Sequence, residues 1–280
     1  MTERRMILGF RFDHLVHFVN SPLKAIEEYN KLGLYAVEGG KHENLGTYNS
    51  LSYFDLSYIE LIGVFDQQLV ESSADIKYSL RETFQNDNFV EGLSRIALRS
   101  TDLEAEAERF RSLGLAVYGP SPLSRRRPDG SLVSWKLLHV GKIGEKLELP
   151  FFIEWDEKDD ERKQDLINRS VITEHPKGNI SLSSVAFAVL DFNSAIEKWS
   201  NYLNLKAEEP FVDESLNANG QRLKLDGGDI VFYSPIGDGI VLHALKTRGE
   251  KPFLVEFSGS DQEEDFQVLG AIYRFSKKNK

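Results

Sequence analysis

The chain has 280 residues, 41% of them hydrophobic and 11% aromatic, enough to bury one large core or two ordinary ones and too much for wholesale disorder. With 34 Lys and Arg against 44 Asp and Glu, the formal charge of −10 excludes coating nucleic acid or binding membranes through a polybasic patch, because both need a basic surface. There is no cysteine, so disulfides, thiolate metal sites, iron–sulfur clusters and cysteine nucleophiles are excluded as well.

The opening residues Met1 to Phe10 carry Arg4 and Arg5 but only about five apolar residues after them, short of a signal-peptide core. No stretch nears the roughly 18 consecutive apolar residues of a membrane span, and we expect a cytoplasmic protein. Three segments then share one plan. The first is a period-2 run from Phe12 to Val19, an N-cap at Ser21, Pro22 as first helical residue, apolar spacing from Leu23 to Leu32, and Gly33 as the helix-ending glycine. The second runs from Ser94 to Ser100, caps at Thr101-Asp102 and closes at Gly114. The third runs from Ser184 to Leu190, caps at Asp191 and closes at Asn204. Gly or Asn at each close is what a left-handed helix end demands.

Short strand-like runs follow each helix: Tyr35 to Val37, Leu51 to Phe54 and Tyr58 to Val64 in the first unit, and Ala116 to Tyr118, Trp135 to Val140 and Phe151 to Trp155 in the second. The third unit has Lys206 to Val212, Gln221 to Leu225 and Ile230 to Ser234. Two further runs follow, Val241 to Lys246 and Pro252 to Phe257, then a helix over Asp261 to Phe275 and a basic tail. Acidic Asp156 to Asp165 and polar Thr173 to Asn179 read as a solvated connector with room for a short helix. The expected fold is α+β, built of tandem βαβββ units. Residues 10–156 hold the first two units, 157–178 the connector, and 179–280 a third related unit.

Alternation assigns faces. Leu15, His17 and Val19, with Ile96 and Leu98, should pack on the units' own helices, whereas His14, Val16 and Phe18, with Arg95, Ala97 and Arg99, should face the cavity. His14, Arg95 and Ser184 occupy equivalent positions before their caps. Glu60, Glu154 and Glu256 each lie inside an apolar strand, where a carboxylate costs several kcal/mol unless paired or metal-bound.

A histidine on the first strand and a glutamate on the last of such units resembles the vicinal oxygen chelate superfamily, and within it the glyoxalase-like family. The resemblance rests on Asp13-His14-Leu15-Val16, Gly39-Gly40-Lys41-His42, Gly46-Thr47-Tyr48-Asn49, Tyr58-Ile59-Glu60-Leu61, Arg125 to Gly130 with Trp135, and Pro150 to Trp155. It implies two units paired into a curled mixed sheet around a cavity, with a divalent metal (Zn, Mn, Fe or Ni) held by His14 and Glu60 and with Glu154 as ligand or base. Arg95 stands where a further ligand is usual; it cannot ligate a metal but can hold a carboxylate.

Each candidate has a plainer alternative. His14 and Glu60 also suit a hydrogen-bonded pair lining an organic pocket, and His42, in a Gly-rich loop, suits a third ligand, a substrate contact or an exposed loop residue. Asn49 fits ligand recognition or a turn. Arg125 and Arg127 fit an anion clamp or a solvated basic turn, and Trp135 and Trp155 a cavity wall or core. His17, His139, His175 and His243 are read as structural or exposed. No Gly-x-Ser-x-Gly elbow or phosphate loop is present. The reading is therefore a metal-assisted lyase, isomerase or dioxygenase, or else a binding protein for a small anionic organic molecule. Neither nucleic acid nor membrane is an expected partner; a homodimer is.

Overall fold

The computed structural model describes residues 9–72, 76–127 and 129–277. The opening residues Met1 to Leu8, Pro128 of the basic turn and the last three residues of the basic tail therefore lie outside the described residues.

The first unit comprises β1 (Arg11–Phe18), α1 (Pro22–Lys31), β2 (Val37–His42), β3 (Thr47–Phe54) and β4 (Ser57–Val64). Two short helices, α2 (Gln67–Ser72) and α3 (Leu80–Asn86), separate it from the second unit: β5 (Gly92–Arg99), α4 (Leu103–Ser112), β6 (Ala116–Arg126), β7 (Leu132–Gly141) and β8 (Phe151–Trp155). The cap pattern holds. The Asp102 carboxylate accepts from Ala105 N at 3.0 Å, and Gly33 and Gly114 take φ of 72° and 75° just past their helices. Ser21 sits at the N-cap of α1 without a side-chain capping bond, the Pro22 ring taking the first helical position.

These eight strands close in the order β1-β4-β3-β2-β6-β7-β8-β5. The two units meet twice. β1 and β5 pair antiparallel along most of their length, whereas β2 and β6 share the single pair Lys41↔Arg126. Outward side chains of β1, β4 and β5, such as Leu15, Ile59 and Ile96, join the main core beside Phe110 of α4, and inward Val16, Phe18 and Ala97 line the lumen side. The alternation reading holds for Leu15, Ile96, Val16, Phe18 and Ala97, but Arg99, expected to face the cavity, turns instead to Phe12 O and Asp159.

After α5 (Asp159–Asn168), a second sheet is built from β9 (Ser181–Ala188), α6 (Phe192–Leu203), β10 (Phe211–Asp213), β11 (Ala218–Leu223), β12 (Asp229–Pro235), α7 (Ile240–Arg248), β13 (Lys251–Ser260), β14 (Glu264–Val268) and β15 (Ala271–Lys277). Its order is β10-β11-β12-β9-β13-β15-β14. The two lobes share one core, in which Phe12, Leu15 and Tyr29 are buried in the same cluster as Phe257 and Tyr273. His17 sits at this junction, with Nδ1 2.8 Å from the Tyr273 hydroxyl and Nε2 2.8 Å from Leu269 O; burial holds its pKa down at about 4.

Three expectations are corrected. The run Val241 to Lys246 is helix α7, because Val241, Ala244 and Leu245 pack as one helical stripe on the second sheet. The helix expected over Asp261 to Phe275 is the hairpin of β14 and β15, turned by Leu269 and Gly270 at φ of 46° and 80° and joined across strands by Asp265 and Arg274. The connector is more than a solvated segment: α5 forms within it and buries Arg162 and Leu166.

Candidate functional site

The lumen of the barrel holds a cavity of about 80 Å3. Alternation along β7 and β8 turns Trp135, Leu137, His139, Phe151, Ile153 and Trp155 into its wall, β4 contributes Tyr58, Glu60 and Ile62, and α3 covers one side with Leu80, Arg81 and Phe84.

The polar centre starts at a β-bulge. β1 pairs Phe12 with Leu98 and His14 with Ala97, so Asp13 is the extra residue. A bulge re-aims its side chain, and the Asp13 carboxylate meets His14 Nδ1 at 2.7 Å although simple alternation would part these neighbours. Asp13 also accepts from Trp155 Nε1 at 2.9 Å and faces Arg162 Nη2 at 3.5 Å and Arg99 Nη1 at 3.9 Å. Burial alone would raise its pKa, but Arg162, His14 and Arg99 together hold it below the ordinary carboxylate value. On the other side of the ring, His14 Nε2 faces Glu60 Oε2 at 3.6 Å, and Glu60 Oε1 accepts from Asn49 Nδ2 at 2.5 Å.

Arg125 Nη1 donates to Asn49 Oδ1 at 3.4 Å, passing over Gly39 and Gly40. Those glycines are required: a Cβ on Gly39 would stand 2.2 Å from Asn49 Oδ1, and one on Gly40, whose φ is 141°, 2.5 Å from Arg126 O. His42 lies at the end of β2 rather than in a loop, with Nδ1 3.0 Å from Thr47 Oγ1 and its ring edge-on to Trp135. Burial first, then Arg125 and Arg81, bring its pKa down to about 4 against the opposing pull of Glu60.

The structure thus brings together His14, Glu60, His42, Asn49, Arg125 and Trp135, and leaves three candidates elsewhere. Arg95 is buried beside the lumen, but its guanidinium donates to Tyr78 O at 2.5 Å and to Leu149 O, tying down the segment that leads into α3. Glu154 points away from the cavity, where it accepts from Leu103 N at 2.7 Å and from Lys136 Nζ at 2.9 Å. The register gives the reason: Val16 stands opposite Glu60 in the β1–β4 ladder, and the equivalent Ala97 stands opposite Phe151, so Phe151 is the true counterpart of Glu60. Arg127 is held by Asp165 at 3.0 Å.

Asp13, Tyr58, Arg81, His139 and Arg162 are additions. His139, expected to be structural, lines the cavity with Nδ1 lacking a hydrogen-bond partner among the described residues, and burial with Arg95 and Arg81 nearby brings its pKa down to about 3. The one sequence signal for Asp13 was its adjacency to His14.

A catalytic zinc takes about three protein ligands. His14 and Glu60 supply two donors, Arg95 and Phe151 stand where the second unit would supply more, and no group of three His, Asp or Glu side chains is placed to hold a metal ion among the described residues. The donor set does not fit a resident metal.

The model of the glyoxalase-like domain family matches residues 12–203. A hypothetical protein from Staphylococcus aureus is similar in structure at 22% sequence identity, with a TM-score of 0.78 over 96% of this chain and 99% of that one. A mutant 4-hydroxymandelate synthase from Streptomyces coelicolor is similar at 10% identity, with a TM-score of 0.56 over 89% of this chain and 71% of that one. At these identities the likeness is one of fold. No curated protein matches the chain. No helix among the described residues is long and apolar enough to cross a membrane.

Proposed function

The chain belongs to the glyoxalase-like domain family, and from that premise we propose a small-molecule lyase or isomerase that moves a proton on an anionic organic substrate inside the barrel. The observation that carries this reading is the buried run from Asp13 through His14 and Glu60 to Asn49, which opens on an otherwise largely apolar cavity. With Nδ1–H donated to Asp13, His14 Nε2 and Glu60 Oε2 face each other at 3.6 Å, beyond direct hydrogen-bond distance, and both line the cavity.

Glu60 is then the base that takes a proton from a substrate carbon beside a carbonyl. His14 is the acid that returns a proton to the substrate, and Asp13 fixes the ring's tautomer and steadies its charged form. Asn49 orients Glu60, and Arg125, beside Asn49, binds the substrate's own anionic group. Aromatic walls keep water away and so strengthen each of these contacts.

The test is exchange of carbon-bound hydrogen for deuterium in a panel of oxo acids, with the carbonyl beside the carboxylate or several carbons from it, in deuterated buffer, followed by NMR. Wild-type protein should exchange at least one substrate, and Glu60→Gln should slow that exchange by about 10²–10⁴-fold, the usual worth of a general base. Exchange at the buffer rate across the panel would leave a binding protein instead.

A further inference from the structure

A second cavity, of about 250 Å3, lies against α5 and shares Leu51, Arg125 and Trp155 with the first. Its inner wall carries Arg162, which is 3% exposed and stacks over the Trp155 ring at 4.6 Å. Arg162 reaches Asp13 through Nη2 at 3.5 Å, but its Nε and Nη1 are buried with no hydrogen-bond partner among the described residues. Asp13 is one carboxylate facing two guanidiniums, and Arg99 already donates to Phe12 O and Asp159. Arg125 also lines this cavity, and its one side-chain hydrogen bond among the described residues is the long one to Asn49 at 3.4 Å. The acidic residues at this cavity, Glu38, Asp129 and Glu157, are all exposed. The interior is therefore short of negative charge and holds unused guanidinium donors, which are costly to bury without an acceptor.

We propose that this cavity binds an oxyanion, the carboxylate or phosphate group of an organic acid or organophosphate, held by Arg162 and Arg125. The ligand's apolar body runs past Trp155 towards His14 and Glu60, so the substrate is an elongated molecule with its anionic group remote from the reacting carbon. The proton-transfer reading is needed only for that reacting end.

Calorimetric titration with phenylphosphate and with benzoate tests the site. Wild-type protein should bind at least one of them saturably at one site per chain. Arg162→Lys keeps a positive charge opposite Asp13 but loses the planar fork, and should weaken binding by about tenfold or more. Arg222→Gln, in the second sheet and paired with Asp229, should change it by less than about twofold. Tighter binding of phenylphosphate assigns a phosphate group, tighter binding of benzoate a carboxylate. If neither saturates, or if Arg162→Lys binds as tightly as wild type, the proposal is overturned. Tryptophan emission gives a second measurement without touching Arg162: phenylphosphate should alter it in wild type and lose most of that response in Trp155→Phe, and a response unchanged in Trp155→Phe places the anion elsewhere. Binding that persists in a protein showing no deuterium exchange would remove the proton-transfer reading alone.

Discussion

The barrel and the second sheet start from the same strand and helix pattern and end with opposite interiors. In the barrel the sheet closes on itself, and His14, Glu60 and Asn49 face a hollow. In the second sheet the equivalent strand β9 carries Ser184, whose hydroxyl donates to Glu256, while Ala186 stands opposite Val231 where Val16 stands opposite Glu60. That sheet stays open, and α7 fills it with Val241 against Val231, Tyr233 and Leu254. The difference teaches that this strand arrangement offers a place for a site, and that what covers its concave face decides whether a site exists there.

The sharpest contrast is electrostatic. Asp13→Ala should leave Arg162 buried without its carboxylate and destabilise the fold by about 3–5 kcal/mol in urea denaturation. Glu256→Ala in the second sheet, partly exposed, should cost about 1 kcal/mol. Similar losses would break the contrast. Packing should differ next. Leu254→Ala opens a hole in a filled core and should cost about 2–5 kcal/mol, whereas Leu137→Ala enlarges a cavity already there and should cost about 1–2 kcal/mol.

Arg95→Met removes the donors to Tyr78 O and Leu149 O and should cost about 2–3 kcal/mol, read in the same denaturation. Its affinity for phenylphosphate should stay at the wild-type value, because Arg95 does not line either cavity. The smallest effect is acid sensitivity. His17 and His42, at about 4, and His139, at about 3, refuse protons that the unfolded chain accepts below about 6.5. The stability they contribute is full above about pH 6.5 and lost as pH falls towards 4. All three lie in the barrel lobe, whereas His243 of the second sheet is exposed. His17→Gln should flatten the loss over that window, and a slope unchanged in His17→Gln would move the acid response to other groups.

Much of the fold was legible because its signals are local. Pro22, Asp102, Asp191, Gly33, Gly114 and Asn204 mark helix ends through the conformations those residues favour, and alternation along β1 and β5 sorted lumen from core. Local signals failed at α7 and at the β14–β15 hairpin. The first is apolar enough to read as a strand until the second sheet offers its concave face, and the second mixes acidic and apolar residues without a clear period.

By itself, the sequence determined the repeat, the caps, the inward parity of His14 and the need of Glu60 for a partner. It determined these because backbone preference and the cost of burying charge act at single positions. Tertiary structure alone decided which glutamate faces the lumen, since that depends on the ladder register that sets Phe151 rather than Glu154 opposite Ala97. It also decided that a bulge turns Asp13 towards His14, and that a helix from the connector carries Arg162 to the same carboxylate. Residues 13 and 162 are far apart in the chain, and nothing local to either encodes a contact that exists only once the barrel has closed.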